Sequence, residues 1–305
     1  MAITSKEIQT IQIIAIKEFR DNLLSKRFLI IGIVYFFIAL LLAAVVMLSY
    51  FSYIEYVHNP NSTDLAKTQS QAQLDNFKPS QVIDYIGILN IVLVLLTVIV
   101  SADTLSNEFK DRTIYQLMSK PIDRSSIIMG KYLGCLGVVS SLFVGSALLA
   151  YLIVAVATWH IPSIWDFLAV IEAIISTVLI MAVYVAIGVL ASSLTKNPYL
   201  SIIGSLLAWI GLWFASAIGN MIGGLSQMGQ FIVGTDTFNT YPIYAKVLVW
   251  IDPLSHGIME QILHPENGTA AAGMPIWANL IFLLVYAVVL LIIALLAFDY
   301  RDISV

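Results

Sequence analysis

Six stretches of this chain run without a single Asp, Glu, Lys or Arg: 28–49, 85–102, 132–165, 173–195, 197–235 and 267–298. Within each, apolar residues follow one another continuously. Strands of a membrane β-barrel would instead alternate apolar and polar positions. About 20 apolar residues in an α-helix cover a hydrocarbon core of about 30 Å, and a helix satisfies its own backbone hydrogen bonds there. The pattern predicts an all-α integral membrane protein of one domain, 1–305, with six spans at 28–50, 83–103, 132–157, 167–193, 198–219 and 277–298.

The polar positions sharpen this picture at both faces. Residues 5–27 read SKEIQTIQIIAIKEFRDNLLSKR, with Ile8, Ile11, Ala15, Phe19 and Leu23 on one helical stripe and Lys6, Lys17, Arg20 and Lys26 elsewhere. This predicts a basic amphipathic helix lying along the inner interface, its apolar face in lipid and its cations towards phosphates. The first apolar span begins only at Phe28 and is too long for a signal-peptide core, so no cleavable signal is expected. Between the second and third spans, residues 103–131 hold Asp103, Glu108, Lys110, Asp111, Arg112, Lys120, Asp123, Arg124 and Lys131. That is a dense island for a chain with 15 Lys and Arg, 19 Asp and Glu among 305 residues, and a mean hydropathy of +0.90.

Cation placement orients the chain. If loops alternate sides, one side receives twelve Lys and Arg and the other only Lys67, Lys78 and Lys246. The positive-inside rule then puts both termini and the charged island on the cytoplasmic side of the cell membrane; a bacterial or archaeal cell is the expectation. The single cysteine, Cys135, excludes an intrachain disulfide and reads as a small apolar filler.

The two long outer loops are 51–81 and 220–276. Sequons at Asn61-Ser62-Thr63 and Asn267-Gly268-Thr269 are too short to carry weight. Asp252 caps and Pro253 opens a helix expected to run to Pro265, which places His256, Glu260 and His264 on one stripe. These are weak metal-ligand candidates. The first and last lie about 12 Å apart at 1.5 Å per residue, so the stripe is expected to face water and bind no metal. Asp84, Asp103 and Asp166 lie near span ends, within reach of headgroups. Glu172, about one turn inside the fourth span, faces either a central cavity or the outer interface.

Within the charged island, Leu105, Phe109, Leu117 and Met118 give an apolar side to a helix expected over 103–119. Glu108 and Arg112 are spaced for an i, i+4 ion pair. Lys120-Pro121 ends that helix, and a second begins near Asp123. Apolar anchors, mixed charge and a proline corner together suit a protein-docking surface.

The residues Glu108, Thr113, Leu117, Pro121 and Arg124, followed by Gly130-Lys131, resemble the pattern E-x4-T-x3-L-x3-P-x2-R…GK of type-2 ABC exporter permeases. IIAIKEFRDNLLSKRF at 13–28, SSLTKNPY at 192–199 and DPLSH at 252–256 are similar too, in the same order. The layout looks closest to the multicopper-enzyme maturation and nitrous-oxide-reductase accessory permeases. That family often has Gly before the Thr, where this chain has Arg112. The resemblance implies an N-terminal elbow helix, a coupling helix within 104–125 and short re-entrant helices before the last span. It also implies two permease copies, most simply a homodimer, and two cytoplasmic ATPase subunits that hold ATP and Mg. An accessory protein outside the membrane is compatible with it.

On that reading Glu108, Phe109, Arg112, Thr113, Gln116, Leu117, Pro121 and Arg124 dock the ATPase. Glu172, Trp209 and Trp213 are candidates for a translocation path beside the second and fifth spans, where Gly204, Ser205 and Gly211 offer small surfaces. The sequence lacks G-x-x-x-x-G-K-[ST], so ATP hydrolysis is expected on a separate chain, and this one is expected to be a permease rather than an enzyme. ATP hydrolysis would drive export or mechanical signalling. A secondary transporter or channel would show mid-membrane charges or matching broken helices. An intramembrane enzyme would need a nucleophile and base, or clustered ligands, inside the membrane. No nucleic-acid partner is expected, and the transported substrate is left open.

Overall fold

The computed structural model describes residues 5–87, 89–113, 123–226, 237–257 and 273–300, and every regular element among them is helical. Helix α1, Ser5–Leu23, turns sharply into α2, Lys26–His58, whose start is capped by Ser25 accepting from the Phe28 N–H at 3.2 Å. Helix α3, Asp64–Asp75, folds back along α2. Helices α4, Gln81–Gly87, and α5, Asn90–Ala102, make the next crossing, and the short α6, Ser106–Lys110, follows. Then come α7, Arg124–Ala157, α8, Ile164–Leu194, and α9, Pro198–Ser226. A 3-10 turn at Thr237–Thr240 leads to α10, Ile243–Trp250. A second at Pro253–His256 precedes the last helix, α11, Ile276–Asp299.

Six helices are long and apolar enough to cross a membrane: Phe28–His58, Asn90–Lys110, Arg124–Ala157, Ile164–Leu194, Pro198–Ser226 and Ile276–Asp299. They outrun several limits expected from hydropathy. At 1.5 Å per residue α2 is about 50 Å long, so its last turns project past the hydrocarbon. Tyr50, Tyr53 and Tyr56 lie in those turns, and the end of α2 together with α3 makes most of the expected 51–81 loop helical. The crossing expected at 83–103 is divided between α4 and α5.

Helix α8 is the centre of the bundle, packed against α5, α7, α9 and α11. Val183, Tyr184, Val185, Ala186 and Val189 are all fully buried. Gly188 makes the α5 contact possible, because a Cβ there would sit 1.9 Å from Ser101 Oγ. Helices α2, α9 and α11 keep large apolar side chains outward, Ile33, Leu207 and Ile292 among them. In a bilayer such surface faces acyl chains or another helix and costs nothing by being there.

Two polar ties hold α8, one near its start and one about 27 Å further along it at 1.5 Å per residue. Asp166 accepts from Ser80 Oγ at 2.5 Å and from the Tyr151 hydroxyl at 3.0 Å. Asp252 accepts from the Tyr184 hydroxyl at 3.0 Å and the Leu254 N–H at 3.1 Å. Burial raises the Asp252 carboxyl above its ordinary range, against those hydrogen bonds.

Two local expectations are corrected. The helix expected from Pro253 to Pro265 stops after one turn, because Gly257 is extended at φ −62°, ψ 116°. And α1 does not use lipid as its only apolar partner. It lies against α7, where a Cβ on Gly130 would come within 2.6 Å of Ile14 and one on Gly134 within 2.6 Å of Glu18. Ile14, Phe19 and Leu23 pack towards the core, while Ile8, Ile13 and Ile16 remain exposed.

Candidate functional site

The charged segment is built around one buried lysine. Lys131, in the second turn of α7, is 3% exposed. Its Nζ donates to Glu18 Oε2 of α1 at 3.0 Å, to Glu108 Oε1 of α6 at 2.9 Å and to the Thr104 carbonyl at 3.1 Å. An ammonium has three N–H donors, and here all three are used. Desolvating an ammonium is costly unless it is fully paired. Two carboxylates and a carbonyl from separate elements meet that requirement only while α1, α6 and α7 stay together. Asn22 adds a longer contact to Glu18 Oε1, at 3.4 Å.

Hydroxyls from the fourth and fifth spans hold the other side of the segment. Ser192, near the end of α8 and fully buried, accepts the N–H of Leu105 at 2.8 Å and of Ser106 at 2.9 Å. Ser201 of α9 donates to the Ala102 carbonyl. A helix start leaves N–H groups without intrahelical partners, and a helix end leaves carbonyls so. Here neighbouring spans supply both caps across the α5–α6 corner. Ser192→Ala would strip two buried N–H groups of their acceptor at roughly 1–3 kcal/mol. Amide exchange of residues 105–110 should then speed by about tenfold or more, at tenfold per 1.4 kcal/mol, with α8 itself unchanged. Uniform acceleration across the bundle would refute the cap.

Of the eight residues expected to dock a partner, the five that are described divide in two. Glu108, Phe109 and Arg124 turn inward. Phe109 meets Phe298 edge-on at 6.4 Å between centroids. Arg124 donates to the Asp299 carbonyl at 2.9 Å, placing a cation on the last turn of α11. The expected Glu108–Arg112 pair is therefore replaced by Glu108–Lys131. Arg112 and Thr113 are exposed, beside exposed Lys110 and Asp111. Arg112 has φ 57°, the left-handed conformation that favours glycine, and it interrupts the expected 103–119 helix just after Lys110; residues 114–119 lie outside the described residues. The turn that a glycine would make is thus made by an arginine. Gln116, Leu117 and Pro121 lie outside the described residues.

The path candidates do not converge within one chain. Glu172 is exposed on α8, about 33 Å along the helix from the α8–α9 turn, whereas Trp209 and Trp213 lie about 17–23 Å from it on α9. Trp209 packs partly against the core. Trp213 is 48% exposed and meets Phe214 edge-on at 5.2 Å.

His256 is fully buried and is no open metal ligand. Its Nδ1 faces Asn279 Oδ1 at 2.8 Å, its Nε2 faces the Trp250 carbonyl at 2.9 Å, and its ring stacks on Phe282. Glu260 and His264 lie outside the described residues, and among the described ones no group of three or more ligating side chains could hold a metal ion.

Sequence spacing missed Lys131 as the centre of this site. The signal that could have found it is a lysine and three glycines, Gly130, Gly134 and Gly137, in the first turns of an otherwise apolar span. Residues 12–303 match the model of a family described as ABC-2 family transporter protein. No curated protein matches the chain.

Proposed function

The chain belongs to the ABC-2 transporter family, and on that premise we propose that a separate ATPase drives it by pulling on the α6 segment. As a member it is a multi-pass membrane permease of an ABC transporter. We assign the docking face to exposed Lys110, Asp111, Arg112 and Thr113 together with residues 114–122, and we place that face in the cytoplasm from the cation bias of the loops. ATP and Mg belong to the partner ATPase in this reading. Export is the direction of transport, through a path formed with a second copy of this chain along the largely exposed α9.

The observation that carries the proposal is the division of the segment. Its inward residues lock onto α1, α7, α8 and α9, while the adjoining charged turn is exposed, with Lys110 over the Tyr199 ring at 5.5 Å. A force applied at residues 110–113 would reach three spans and α1 through Ser192, Ser201 and Lys131 without passing through flexible chain. Coupling requires that this contact differ between ATPase states. Glu108 is the tie, and Arg112 is the handle.

The test is co-purification with an ABC ATPase subunit, identified by its phosphate-binding loop and by ATP hydrolysis. The charge reversals Lys110→Glu, Asp111→Lys and Arg112→Glu, and separately Leu117→Asp, should abolish association while leaving thermal unfolding unchanged. Retention of the ATPase by both variants would place docking elsewhere.

A further inference from the structure

A pocket of about 340 Å³ opens where α2, α3 and α4 meet, within the range of small-molecule sites, about 300–1,000 Å³. Four of its lining side chains are aromatic: Tyr50 and Tyr53 of α2, Phe77 from the turn after α3, and Tyr85 of α4. Phe77 is buried, and its ring lies 4.6 Å from that of Tyr50 and 5.6 Å from that of His160, between centroids. The α4 wall is equally fixed, because Val82, Ile83 and Ile86 are fully buried. Tyr53 is half-buried and Tyr85 is 40% exposed, so these two rings stand where a ligand can reach them. No lysine or arginine is among the described lining residues. Asp84 is the one formal charge there, and it already holds another interaction.

We propose that this pocket binds a quaternary ammonium group. A cation near an aromatic face is attracted by the ring quadrupole, most strongly where water is excluded, and four rings here share one pocket. A quaternary ammonium has no N–H and calls for no acceptor, so Asp84 can keep the interaction it has. A primary ammonium is strongly hydrated and has three N–H groups to satisfy once that water is lost. A phosphate or carboxylate would find no cation in this lining. Gln73 and Gln81 can serve a polar group carried beside the ammonium, such as a hydroxyl. At 1.5 Å per residue, Val46 and Tyr53 of the lining lie about 27 Å and about 38 Å along α2 from Phe28. A crossing of about 30 Å that starts at Phe28 ends between them. The ammonium group can therefore arrive on a choline lipid or on a small free cation.

This inference does not rest on ATPase docking and is tested without an ATPase. The purified full chain, in a maltoside detergent, is titrated with radiolabelled choline. Tetramethylammonium should displace it, while ethanolamine and the tert-butyl analogue of choline, its neutral isostere, should each be about tenfold weaker. Tyr53→Leu and Tyr85→Leu should each weaken choline about fivefold with thermal unfolding unchanged. Tyr53→Phe and Tyr85→Phe keep the ring and should bind as the wild type does. Tyr56→Leu, on the same helix but outside the lining, should change nothing. Phosphatidylcholine that binds more tightly than glycerophosphocholine would assign the group to a lipid, and equal binding would assign it to a free cation. Equal affinity for choline and its tert-butyl analogue, phenylalanine variants as weak as the leucine ones, or no saturable binding of either choline or phosphatidylcholine would each overturn the assignment.

Discussion

Lys131→Met should destabilise the protein by about 3–5 kcal/mol, the range for breaking a buried ion pair from one side. The side chain is replaced by one of similar length, so the loss comes from the charges left behind. Glu18 and Glu108, with side chains only 15% and 20% exposed, would face each other with no cation between them, and the Thr104 carbonyl would lose its donor. The triple variant Lys131→Met, Glu18→Gln, Glu108→Gln removes every charge together, and such replacements are often neutral or stabilising. Thermal unfolding of the purified protein should therefore show a large loss for the single variant and recovery for the triple one. Single and triple variants that unfold alike would mean that the cluster is not the tie described here. On the proposed coupling, the complex of the recovered triple variant with a partner ATPase should hydrolyse ATP but transport poorly, since the link between α6, α1 and α7 is gone although the fold is not.

The fold was legible because the bilayer reduces span detection to length and continuity of apolar sequence, and all six long helices carry that signal. Ends were less legible. Continuity of hydropathy stops at the first charge, whereas α2 runs on to His58 and α7 starts at Arg124, because a helix continues while its backbone bonds do. Asp252 and Pro253 were read correctly as a cap and a first residue. Their helix failed at Gly257, where the chain bends so that His256 can reach Asn279 and Trp250, a tertiary demand with no local sign.

The candidate site was legible in location but not in wiring. Glu108 and Lys131 both stood in the motif, yet spacing offered Arg112 as the local partner. Local pairing won on paper because an i, i+4 contact needs no knowledge of the fold. It is worth a few tenths of a kcal/mol, far less than the cost of leaving Lys131 buried and unpaired, so the distant partner takes Glu108. The same limit hid the second face of α1. Amphipathicity shows that a helix has an apolar side but not whether lipid or protein covers it. Gly130, Gly134 and Gly137 were the clue to protein.

Gly134→Leu should detach α1 from the bundle while every charge stays in place. A Cβ at this position would lie 2.6 Å from Glu18 Cβ and 2.8 Å from the Ala15 carbonyl oxygen. Backbone cannot swing aside as a side-chain tip can, so the whole helix must rise. Overpacking of this kind costs about 1–3 kcal/mol and sometimes more, and the rise also draws Glu18 away from Lys131. Gly137→Ala is the graded comparison, since its Cβ would meet only the edge of the Phe19 ring at 3.2 Å, and a ring can yield. Amide exchange should separate them: in Gly134→Leu the amides of α1 lose protection while those of α8 keep theirs, and in Gly137→Ala α1 stays protected. Should α1 in Gly134→Leu exchange as slowly as in the wild type, it rides on lipid after all, and a pull on α6 could not reach it through Lys131.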